Sequence, residues 1–84
     1  MSSELARRLG DVIRQERKRK GVSQEQLAHI AGLDRTYLQR IEAGRSNPSL
    51  DKIEALARAL QRHPSDLLAL ADGSTNDDAG EELD

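Results

Sequence analysis

The sequence contains no cysteine, tryptophan or phenylalanine, a single tyrosine (Tyr37), two prolines, and no long apolar run in its 84 residues. Each absence removes a class of answer. Without cysteine there are no disulfide staples, no thiolate zinc site and no thiol chemistry, and the chain suits a reducing compartment. No stretch approaches the roughly 20 apolar residues that a membrane span needs, and no basic-then-apolar leader opens the chain, so a soluble, cytoplasmic protein is expected. Apolar residues at 36% and aromatics at 1% provide a small aliphatic core, enough for one domain and too little to wall off an enzyme cleft. Such a core gains from self-association that buries more apolar surface.

Charge is plentiful but unevenly placed. The formal net charge is -2, which taken alone argues against a nucleic-acid partner. Residues 1–71, however, hold 13 Lys/Arg against 9 Asp/Glu, a net of +4, while residues 72–84 hold none against 6, a net of -6. The body is basic and the remainder acidic. Residues 72–84, DGSTNDDAGEELD, contain one leucine and cannot repay the entropy of ordering, so they read as a disordered acidic tail after a domain spanning 1–71. The alternative is an acidic segment that imitates nucleic-acid phosphates or docks a protein partner.

Apolar periodicity predicts five helices and no strand. Leu5, Leu9, Val12 and Ile13 make the stripe of a first helix, capped by Ser3 and closed by Gly21. Ser23 with Gln26 forms a capping box for a second helix of about nine residues, carrying Leu27, Ala28, Ile30 and Ala31 inward and ending at Gly32. Asp34 caps a third, Arg35 to Ala43, with Leu38 and Ile41 on one face and Gly44 at its close. After the turn Arg45-Ser46-Asn47-Pro48, Ser49 caps a fourth helix bearing Leu50, Ile53, Leu56, Ala57 and Leu60; Pro64 opens a short fifth that ends near Leu70.

The second and third helices are joined by Gly32-Leu33-Asp34 alone, a sharp corner that defines a helix-turn-helix over about residues 23–43. Counting Gln24 as one, Ala28 is five, Gly32 nine, Leu33 ten, Leu38 fifteen and Ile41 eighteen. A small residue lets the helices cross closely, glycine takes positive φ at the corner, and three aliphatics lock the pair to the body.

On these residues the sequence resembles the Cro/lambda-repressor-like (XRE-type) helix-turn-helix transcriptional regulators. The stretches SQEQLAHIAGL, LQRIEAGRSNPSL and IEALARAL are similar to that family's second helix, third helix with its turn, and fourth helix, and DRTYLQRIEAG resembles the third helix of the restriction-modification controller branch. The resemblance covers about residues 5–70 and implies an all-α, compact five-helix lambda-repressor-like DNA-binding domain. It also implies a phosphate contact from Gln24, backbone contacts from the turn Arg45, Ser46 and Asn47, and a structural ion pair between Arg17 and Glu42. For Gln24 the alternative is capping of its own helix, and for the turn, no more than a polar corner.

At about 100° per residue, the core direction of the third helix lies between Leu38 and Ile41. Thr36 and Ala43 then centre the opposite face, flanked by Gln39 and Arg40, with Arg35 projecting from the first turn. A solvated surface can carry such residues. Their chemistry favours DNA base readout, since arginine forks onto guanine O6/N7, glutamine pairs with adenine and threonine meets the thymine methyl. Tyr37 sits at the edge of the core face, its ring half buried and its hydroxyl within reach of a phosphate. The run Arg17-Lys18-Arg19-Lys20 suits a helix C-terminus for electrostatic reasons alone and need not touch DNA.

Nothing catalytic emerges. His29 and His63 stand 34 residues apart with no third ligand at metal spacing, and there is no glycine-rich phosphate loop or nucleophile grouping, so neither metal nor cofactor is expected. Leu67, Leu68 and Leu70 exceed what one short helix needs, which places a two-fold interface at Leu67 and Leu70. The expectation is a homodimeric, sequence-specific regulator of transcription on a palindromic duplex site. The alternative is an antitoxin-type module that holds a partner protein.

Overall fold

The computed structural model describes residues 3–73, which form five helices: α1 Glu4–Lys20, α2 Gln24–Ala31, α3 Arg35–Glu42, α4 Leu50–Ala59 and α5 Pro64–Asp72. No strand occurs among the described residues. Local chemistry sets the boundaries. Ser3 Oγ accepts the Ala6 N–H at 3.0 Å. Ser23 and Gln26 exchange both bonds of a capping box, the Gln26 N–H to Ser23 Oγ and the Ser23 N–H to Gln26 Oε1. Asp34 Oδ2 accepts from the N–H groups of Thr36 and Tyr37, and Ser49 Oγ from that of Lys52. These caps satisfy donors that the first turn of each helix leaves without partners.

Two glycines matter for what they permit. Gly32 has φ 72°, the left-handed conformation that turns the chain from α2 to α3 within three residues. Gly10 lies in the middle of α1, where a Cβ would overlap the carbonyl oxygen of Ile41. The missing side chain lets α1 lie directly against the end of α3, and α3 is thereby held from behind.

The core runs through all five helices: Leu9 and Ile13; Leu27 and Ala28; Leu38 and Ile41; Ile53, Leu56, Ala57 and Leu60; Leu67 and Ala71. Four expectations change here. Leu5 is exposed despite its place in the α1 stripe. Ile30 is 58% exposed, because it stands about 110° round α2 from the direction between Leu27 and Ala28. The fifth helix continues to Asp72 with Gly73 as its left-handed cap, since Ala71 repeats the inward position of Leu67, so Asp72 belongs to the body and not to the acidic remainder. Leu67 is 0% exposed. It packs inside its own protomer and cannot face a second subunit without opening the core. The rest of the expected tail, residues 74–84, lies outside the described residues.

An ion pair and a hydrogen bond tie α1 to the corner between α4 and α5. Glu16, buried on the α1 stripe, accepts a fork from Arg62, Nε to Oε1 at 3.0 Å, which clamps α1 to the corner between α4 and α5. The hydrogen bond to Glu16 raises the pKa of the Arg62 guanidinium above its ordinary value. Lys20 donates to Gln61 across the same corner. No described helix is long and apolar enough to cross a membrane.

Candidate nucleic-acid interface

The candidate face is the side of α3 turned away from Leu38 and Ile41. Arg35, Thr36, Gln39, Arg40 and Ala43 are all exposed there, as the 100° geometry requires of residues opposite a buried pair. Arg45 and Asn47 are exposed on the turn that follows, Ser46 is half-buried in it, and Tyr37 is half-buried with its ring against the core. The structure therefore gathers the four predicted base-reading residues and the turn on one continuous stretch of surface. Gly44 keeps this turn close to α1: it has φ 74°, and the Arg7 backbone and side chain crowd the space where a Cβ would stand.

Behind that face sits a charged lock. Glu42 is the last residue of α3, with its side chain 3% exposed. Its Oε2 accepts the Arg17 Nε–H at 2.7 Å, and its Oε1 accepts from Arg17 NH2 and from the Gln24 side-chain amide, each at 3.0 Å. Arg17 also donates to the Val22 carbonyl at 3.0 Å. One carboxylate thus joins the end of α1, the start of α2 and the end of α3, and the expected pair of Arg17 with Glu42 is present. Gln24 is more committed than expected: one amide hydrogen is used on Glu42, and the other, with the backbone N–H groups of Gln24 and Glu25, remains for an anion.

Pairing separates the arginines into two populations. Arg7 and Arg8 bind Glu4, Arg14 binds Asp11, Arg17 binds Glu42, Arg19 and Arg62 bind Glu16, and Arg58 binds Glu54. Arg35, Arg40 and Arg45 have no side-chain hydrogen bond or ion pair among the described residues. All three lie on α3 or its turn, so the guanidinium charge left over for a ligand is concentrated where the geometry leaves α3 open. An unpaired, exposed guanidinium keeps its five donors for an incoming acceptor.

Three features here escaped the sequence reading. A carboxylate at Glu16, seven residues after Leu9 on the same stripe, is a signal of a buried pair. A glycine inside a strongly periodic helix, Gly10, is a signal of close packing. The bond from Gln24 to Glu42 had no signal, because it joins side chains 18 residues apart on two different helices.

A helix-turn-helix family model matches residues 13–67. The chain is 44% identical over 69 residues to the control protein C.BamHI of Bacillus amyloliquefaciens, covering 81% of this chain and 85% of that protein. Among solved structures it is similar to the restriction-modification controller protein C.AhdI from Aeromonas hydrophila, at 44% identity and a TM-score of 0.71 over 75% of this chain and 94% of that one. It is also similar to the clp gene regulator ClgR from C. glutamicum, at 31% identity and a TM-score of 0.80 over 88% and 95%. The chain belongs to the XRE-type helix-turn-helix family of DNA-binding transcriptional regulators.

Proposed function

We propose that α3 enters the major groove of a duplex, with Arg35, Thr36, Gln39 and Arg40 reading base edges and Gln24, Tyr37, Arg45, Ser46 and Asn47 gripping the flanking phosphates. The observation that carries this reading is the confinement of the unpaired arginines to α3 and its turn. Base contacts specify a sequence and phosphate contacts fix the register. The Arg17–Glu42–Gln24 lock supports both, because it holds the ends of α2 and α3 in one fixed relation. Binding is the whole activity in this reading, with no reaction to catalyse and no cofactor to hold.

A single reading helix contacts too few bases to define a site, and two copies related by a two-fold axis read a palindrome. With Leu67 buried, the surface that suits a second copy is the shallow groove between the start of α4 and α5, lined by Leu50, Ile53, Pro64 and Leu68. Leu50 is 76% exposed and Leu70, on the far flank of α5, 40%. Leu50 with Leu68 therefore takes the place of the Leu67 and Leu70 pair, with Leu70 at the margin.

The test begins with selection of bound sites from a random duplex pool. A palindromic consensus is expected, and Arg35→Ala and Arg40→Ala should each relax the preference at a defined base pair. Enrichment of no consensus, or a consensus unaltered in both variants, rejects base readout by α3.

A further inference from the structure

One exposed carboxylate at the start of α1 holds two arginines. Glu4 Oε2 accepts from both Arg7 NH2 and Arg8 Nε, so the cluster is paired and still carries a positive charge in surplus. The two arginines stand on different sides of the helix. Gly10, one turn after Arg7, abuts the Ile41 carbonyl at the end of α3, and at 100° per residue Arg7 lies about 60° round α1 from Gly10 while Arg8 lies about 160° away. Arg7 therefore borders α3. Its Cγ and Cα come within 3.0 and 3.1 Å of the point a Cβ on Gly44 would occupy, so the side chain leaves α1 against the turn, beside exposed Arg45. We infer that Arg7 is a further phosphate-binding residue, which exchanges Glu4 for a duplex phosphate beside the turn 45–47 while Arg8 keeps Glu4. The inference rests on the DNA-binding reading above and extends its grip from α3 and the turn to α1.

The exchange demands little of the protein. The Arg7 and Glu4 side chains are 60% and 55% exposed, and a pair of that kind is weak and screened by salt. Arg8 and the amino end of α1 continue to favour the Glu4 carboxylate once Arg7 has left. Asp11, one turn further along α1, is balanced by Arg14. A duplex presents one negative charge per about 1.7 Å of axis, and a phosphate accepts the guanidinium fork in two parallel bonds. Such a contact carries no sequence information, so it acts alike on selected and random DNA.

The test compares two neighbours that share one acid. Arg7→Gln keeps the stem that packs on Gly44 and removes the charge; Arg8→Gln removes a charge from the same carboxylate on the side facing away from α3. Binding of the 84-residue protein to a random-sequence duplex is followed by fluorescence anisotropy between about 50 and 200 mM salt. Arg7→Gln should weaken binding about three- to tenfold at the low-salt end and reduce the slope of log K against log salt by about 0.9 per bound protomer, with the melt unchanged. Arg8→Gln should keep the parental slope, and so should Arg7→Lys, which retains the charge. A selected duplex should lose affinity by the same factor. A parental slope in Arg7→Gln, or equal reductions in Arg7→Gln and Arg8→Gln, overturns the inference and leaves the α3 reading standing. A parent that binds neither selected nor random duplex overturns the DNA reading and this contact with it.

Discussion

The two most basic regions of this chain, α1 and the stretch from Arg35 to Arg45, put arginine to opposite uses. In α1, Arg7, Arg8, Arg14, Arg17 and Arg19 each have an acidic partner within 4 Å. On α3 and its turn, Arg35, Arg40 and Arg45 have none among the described residues. Charge density alone points to α1; charge left uncommitted points to α3. Arginine in the first region contributes to the fold, by cross-linking helices at Glu42 or by neutralising a helix surface, and in the second it has no acidic partner among the described residues.

The largest effect should come from breaking the buried member of the first group. Arg17→Ala leaves the Glu42 carboxylate buried without its main partner, a loss of about 3–5 kcal/mol in a domain whose total stability is of order 5–15 kcal/mol. Thermal melting should show a collapse in the midpoint, and Arg17→Met combined with Glu42→Leu should recover most of it, since a buried pair can be exchanged for packed apolar groups at little cost. A cooperative melt at the parental temperature in Arg17→Ala would mean the lock bears no weight.

Next in size, Arg35→Ala and Arg40→Ala should each weaken binding to a selected duplex by about 1–3 kcal/mol, leave random-duplex binding nearly unchanged, and leave the melt intact. Equal losses on selected and random DNA would reduce these residues to phosphate contacts and merge them with Arg45. A smaller effect on the fold and a larger one on assembly is expected of Leu50→Ser with Leu68→Ser. Both side chains line the groove between α4 and α5, and sedimentation at micromolar concentration should shift from dimer to folded monomer. A double variant that stays dimeric moves the interface away from this groove. Smallest of all, Arg14→Ala opens an exposed pair with Asp11 and should change stability by about 0.5 kcal/mol or less.

How much of this was legible in the sequence depended on whether a feature was local. Helix starts were readable because Ser3, Ser23, Asp34 and Ser49 act on N–H groups two or three residues ahead. The face of α3 was readable because Leu38 and Ile41 alone fix its orientation. Failures came where a second element decides. Leu67 and Leu70 look alike in sequence, and only the packing of α5 on α1 and α4 buries one and exposes the other. Ile30 was placed inward by residue type, whereas its angle on α2 places it outside. The Glu16–Arg62 clamp joins residues 46 apart, and the overlap waiting at Gly10 depends on a carbonyl from α3. The same rule covers the interface: its four base-reading candidates were found from one helix, but the distinction between paired and unpaired arginine needed all five.

The most direct test is to follow each arginine side chain by its Nε–Hε resonance while a selected duplex is added to the 84-residue protein. The resonances of Arg35, Arg40 and Arg45 should shift and become protected from solvent exchange, while those of Arg17 and Arg62, already held by Glu42 and Glu16, stay in place. Shifts confined to Arg14 and Arg19 on α1, with Arg35 and Arg40 unmoved, would contradict the central claim that unpaired arginine on α3 is the DNA-reading surface.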